Sequence, residues 1–144
     1  MTNDKHLAEP TSTHPTIRRR AGRALTVAAA AAGALLIWAV NGPLAGADPT
    51  VRRGGGVEQI GPAAVVPAAL AAGLVAWGLL ALLERHTRRP ARTFRMIGLL
   101  VLLLSLAGPL GSGVDAGSRL ALVGMHLTVG AALLIGLPRG CPRR

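Results

Sequence analysis

His126, in the run MHLTVGAALLIGL, is the one ionisable residue inside the long uncharged stretches of this sequence, with Thr128 two positions on and Ser105 in LSLAGPL. An imidazole among apolar residues has a short list of uses. It can hydrogen-bond a hydroxyl on another helix, worth about 1 kcal/mol, or it can relay a proton or hold a ligand. No second His and no carboxylate stands near it in sequence, so it makes a poor metal site. The interhelical bond is therefore the leading reading, with Thr128 and Ser105 as its polar companions.

The second concentration of chemistry is basic. The segment ERHTRRPARTFR holds Arg85, Arg88, Arg89, Arg92 and Arg95. Such a cluster beside a membrane span sets topology, and each arginine near anionic headgroups adds about 1 kcal/mol of attraction. Glu84 opens the segment and is placed to pair with Arg88 one turn later. It lies too near a helix end to serve as the buried carboxylate of a proton-coupled exporter. Gly54–Gly56, after Arg52 and Arg53, lack the Lys-Ser/Thr ending and the strand-to-helix context of a phosphate loop, and read as a flexible linker. Cys141, the only cysteine, can form neither an internal disulfide nor a zinc cluster.

The elements that must position these groups are hydrophobic helices. Of 144 residues, 51% are hydrophobic and the net charge is +10, a combination that fits a bilayer better than a soluble domain. With two Trp, one Phe and no Tyr, the chain has no stacking surface for single-stranded nucleic acid, and no nucleic-acid partner is expected. Residues 1–23 carry two prolines and the run RRRAGR, and are expected to form a disordered basic tail. Four spans follow, at about 24–43, 61–83, 94–111 and 120–137, and residues 138–144 make a second basic tail. The uncharged core of the first, 24–40, covers roughly 26 Å, close to the minimum for crossing. Pro62 and Pro67 fall near the start of the second, where a missing amide costs least. The third must borrow Phe94 and a snorkelling Arg95 to reach across. The fold class is all-α, an integral membrane antiparallel four-helix bundle.

Orientation follows from the basic residues. Thirteen Lys and Arg lie before the first span, between the second and third, or after the fourth, against three in the remaining loops. Both termini are thus expected in the cytoplasm, in a multi-pass protein of the cell membrane. A competing topology arises because Ala45 and Ala47 match the small-x-small pattern before a signal-peptidase cut. Cleavage after Ala47 would leave three spans. The length of the apolar run and the extended basic head favour retention.

The order of segments, with LLERHTRR closing the second span, LSLAGPL in the third and MHLTVGAALLIGL in the fourth, resembles the small four-span actinobacterial membrane proteins of domain-of-unknown-function family 6069. The likeness covers about residues 24–137. It implies a topology and an actinobacterial source, and brings no activity, cofactor or catalytic residue.

No nucleophile, acid–base pair or metal cluster is recognised, so an enzyme is not expected and no cofactor is implied. Small residues recur four apart at Ala29 and Gly33, Ala69 and Gly73, and Ala132 and Gly136, a helix-packing signal that fits an intramolecular bundle or a homo-oligomer equally. The expected role is a non-enzymatic membrane component, an accessory or interaction subunit whose partners are the lipid bilayer and other membrane proteins. The alternative is a small transporter or channel acting as an oligomer through His126.

Overall fold

The computed structural model describes residues 15–42, 44, 50–112 and 115–140. Helix α1 runs Pro15–Asn41, helix α2 Pro62–His86, helix α3 Pro90–Ser105, helix α4 Ala107–Ser112 and helix α5 Ala116–Gly136, the last extended by a 3-10 turn, Leu137–Gly140. A two-stranded antiparallel hairpin, β1 (Thr50–Arg53) and β2 (Gly56–Gln59), lies between α1 and α2. Four segments are long and apolar enough to cross a membrane: Thr16–Asn41, Pro62–His86, Pro90–Gly111 and Ala116–Arg139. The protein is a multi-pass membrane protein built as an all-helical bundle. The helices form a ring in which α1 neighbours α2 and α5, and α3 neighbours α2 and α5.

Packing depends on small residues. A methyl group placed on Gly33 would lie 2.8 Å from Thr128 Cγ2, one on Gly73 2.5 Å from Val27 Cγ1, and one on Gly130 2.6 Å from Leu102 Cδ1. Gly136 is closed over in the same way by Thr26, and Gly98 by Leu134. Lipid is as apolar as leucine, so helices associate through this close approach rather than by escaping water. Two clusters make up the core. One joins Val27, Ala30, Leu80, Phe94, Leu133 and Leu137; the other joins Ala31, Ala34, Val65, Ala69, Ala121 and Met125. Of the small pairs read from the sequence, Gly33, Gly73 and Gly136 are contacts and Ala69 is buried, whereas Ala29 is exposed.

Three features differ from the sequence reading. The disordered tail expected to reach residue 23 is helical from Pro15. Proline suits the first turn of a helix, where its missing amide would have no partner anyway. The glycines expected to form a flexible linker make a tight turn instead: Gly54 and Gly55 have φ of +57° and +86°. Two successive positive φ angles are what a type I′ hairpin turn needs, and they set the register from Thr50 opposite Gln59 to Arg53 opposite Gly56. The third span is one crossing made of two helices, broken at Leu106. Pro109 has no amide to give the Ser105 carbonyl, and its ring crowds that carbonyl, so the helix breaks one turn earlier. Residues 1–14, the Ala45 and Ala47 positions and Cys141 lie outside the described residues.

Candidate functional site

At the basic end of the bundle the first turns of α1, the last turn of α2 and the α2–α3 connection come together. Arg23 is buried, and its Nη2 donates to Glu84 Oε1 at 2.5 Å across 61 residues of sequence. The two side chains keep 10% and 22% of their surface. Arg23 Nε is buried and has no hydrogen-bond partner among the described residues. The pair neutralises one charge of the basic run that α1 carries. Glu84 stands in the last turn of α2, where the macrodipole disfavours an anion, and Arg23, two turns into α1, supplies the cation that offsets it. Arg88, the partner expected for Glu84 from spacing, lies just beyond the α2 cap at Thr87.

Two adjoining clefts open at this end and share Arg19, Glu84 and Arg85 as a common wall. One, of about 710 Å³, is lined further by His86, Thr87, Arg88, Arg89 and Pro90. The other, of about 520 Å³, is lined by Thr16, Arg20, Arg23, Trp77 and Ala81. Of the five arginines read from the sequence as lipid contacts, Arg85, Arg88 and Arg89 therefore line a cleft. Arg92 and Arg95 are exposed on the first turns of α3 and line neither. Sequence reasoning missed the contribution of Arg19, Arg20 and Arg23. The available signal was Pro15, whose position would have carried the helix back through the basic run.

The intramembrane polar residues do not gather into one site of the expected kind. His126 Nδ1 donates to the Leu122 carbonyl at 2.8 Å, one turn back in its own helix. Ser105 Oγ donates to Leu102 O at 2.8 Å, also within its helix. The Thr128 methyl packs over Gly33 of α1. The interhelical hydrogen bond expected of His126 is thus replaced by a local one: a half-buried donor takes the nearest carbonyl before it reaches across. His126 and Ser105 do share a level, each one turn toward the hairpin end from the Leu102–Gly130 contact between α3 and α5.

The opposite end is held by hydrogen bonds. Trp38 Nε1 donates to the Ile60 carbonyl at 2.7 Å, fixing the chain as it enters α2. Asp115 caps α5, accepting the Ser118 amide and hydroxyl at 2.8 Å each, and the Thr50 amide donates to the same hydroxyl at 3.1 Å. The Ser118 amide, then its hydroxyl, hold the Asp115 carboxyl below the usual carboxylate range, and Gly117 and Arg119 act in the same sense. These contacts tie the hairpin to the start of α5. Among the described residues no three of His, Cys, Asp and Glu come together as a metal site.

No curated protein and no solved structure matches the chain. The model of a family of unknown function, DUF6069, matches residues 14–143, a stretch that takes in all four spans and both ends just described, and the chain belongs to that family.

Proposed function

We propose that this protein is a non-enzymatic component of the cell membrane, an accessory or interaction subunit for other membrane proteins, with both termini in the cytoplasm. The observation that carries the reading is the packing. Glycine contacts close α1, α2, α3 and α5 on one another, while α3 turns Met96, Leu99, Leu100, Leu103 and Leu104 outward. The third crossing is the least enclosed of the four spans. A helix that gives so little to its own bundle offers the rest of its surface to lipid or to a neighbouring protein. The orientation is supported by the sorting of charge: the arginines of α1, of the α2–α3 connection and of the C-terminal turn share one end.

A small oligomeric transporter or channel is the second reading. It is favoured by the broken third crossing, because irregular backbone at membrane depth is tolerated where it faces protein or a water-filled cavity. One pair of measurements separates the two. Photo-crosslinking residues at Leu99 and Leu103 in native membranes are expected to give adducts with a different membrane polypeptide, and His126→Ala is expected to leave ion flux through reconstituted vesicles at background. Adducts only between copies of this chain, together with a flux that His126→Ala abolishes at unchanged abundance, would replace the accessory reading with the transporter.

A further inference from the structure

We propose that the paired clefts at the basic end form a binding site for the headgroup of an anionic phospholipid, with its phosphate held between α1 and the α2–α3 connection. The proposal rests on the chain being a membrane protein, and on neither its partners nor its orientation. Six arginines line the clefts, Arg19, Arg20 and Arg23 from α1 and Arg85, Arg88 and Arg89 from the other side, against a single carboxylate, Glu84. Whatever pairs Glu84 makes, it can neutralise one of those charges, and a strong positive field is left. Guanidinium is the cation suited to this ligand, since its planar fork meets two oxygens of a phosphate at once.

Depth and shape distinguish a built site from a charged rim. Arg23 keeps 10% of its side-chain surface, and its Nε lacks a partner among the described residues. Nε is closed off within the bundle, so a bound phosphate is met by the exposed guanidinium groups of Arg85, Arg88 and Arg89, with the buried charge of Arg23 behind them. Both clefts, of about 710 and 520 Å³, open widely to the surface, as a site that takes a headgroup from the bilayer must. The inner wall chooses between a lipid and a free anion. Trp77 and Ala81 of α2 line the cleft below the arginines, inside a span. Trp77 lies two turns deeper than Glu84, so its indole and the apolar helix around it suit the first carbons of an acyl chain beneath a headgroup held by the arginines. Free phosphate would gain nothing from that wall.

The test uses the purified full-length chain in phosphatidylcholine nanodiscs doped with phosphatidylglycerol or cardiolipin, with bound lipid counted by native mass spectrometry after release. Wild type is expected to retain the anionic lipid at least about tenfold over phosphatidylcholine. The triple variant Arg85→Gln, Arg88→Gln, Arg89→Gln is expected to lose that preference. A second triple, Arg92→Gln, Arg95→Gln, Arg139→Gln, removes the same charge from the same end outside the clefts and is expected to keep it. All six positions are exposed, so both triples should fold, which thermal unfolding by circular dichroism checks. Equal loss in the two triples would overturn the site in favour of diffuse attraction. Displacement of the lipid by millimolar inorganic phosphate would overturn its lipid identity and leave a general anion site. Absence of any preference in the folded wild type would overturn both. None of these results bears on the crosslinking of α3.

Discussion

Arg23 and Glu84 are the residues on which the basic end depends, and each is costly alone. A guanidinium with 10% exposure has lost most of its water, and the carboxylate beside it, at 22%, has lost less. Removing one member of a fully buried pair costs about 3–5 kcal/mol because the other charge is left stranded. Here Glu84 retains a water-facing side, so Glu84→Gln is expected to cost about 2 kcal/mol. Arg23→Met combined with Glu84→Met, which removes both members of the pair, is expected to recover most of that loss. Unfolding of the purified protein by SDS in zwitterionic micelles measures both. If Glu84→Gln unfolds at the wild-type SDS fraction, the pair is a bystander. Neither residue could be matched to the other from the sequence, where Arg23 reads as a topology charge and Glu84 has Arg88 as a nearer candidate. His126 stood out in the sequence for the opposite reason: an ionisable group in a span is visible by composition. Its partner was not legible, because every helical side chain has a carbonyl one turn back and periodicity does not say which donor will use it.

At the scale of elements, the four crossings were legible because each is an uncharged run of bilayer length, and their limits were legible only where a proline or a charge cluster fell at the helix end. Pro62 and Pro90 open α2 and α3. The start of α1 was misplaced because helix continues through polar residues whenever tertiary partners compensate them, as Glu84 does for Arg23. The break at Leu106 was carried by Pro109 in a run that hydropathy alone reads as continuous. Small residues gave the packing in outline, but which of them touch a neighbour depends on helix rotation. Gly73 illustrates the energetic consequence. A β-carbon there would sit 2.5 Å from Val27 Cγ1 and 3.0 Å from Cγ2, and both belong to a branched side chain in the core. Gly73→Val must separate α1 from α2, and overpacking of this kind costs about 1–3 kcal/mol. A β-carbon at Gly78, five residues on, meets nothing within 4 Å, and Gly78→Val is expected to be tolerated. Comparing the two variants by the same SDS titration separates loss of a close contact from loss of a helical glycine, since a matched loss at Gly78 would mean that contact with Val27 has no special weight.

For the whole molecule, the first helix decides what kind of protein this is. A signal sequence is dispensable to the fold it precedes, whereas α1 lies between α2 and α5 and supplies Val27, Ala30, Ala31 and Ala34 to the two core clusters. It also supplies the arginines of one wall of the basic clefts and, through Trp38, the hydrogen bond that holds the entry to α2. A chain cut after Ala47 would expose the glycine and alanine faces of α2 and α5 to lipid, which packs poorly against them. Retention of α1 is therefore expected, with four crossings and one sidedness. Intact mass of the membrane-extracted protein and labelling by an impermeant maleimide, on a Cys141→Ser background, check both together. Glu58→Cys on the hairpin is expected to label from outside intact cells, and Arg139→Cys only after the membrane is opened, on a chain of full mass. If Arg139→Cys labels in intact cells while Glu58→Cys does not, the bundle stands but the proposed orientation is inverted. A mass lacking the first 47 residues, with Glu58→Cys still labelled, would mean that three crossings suffice and that the contacts of α1 are those of a transient assembly before cleavage.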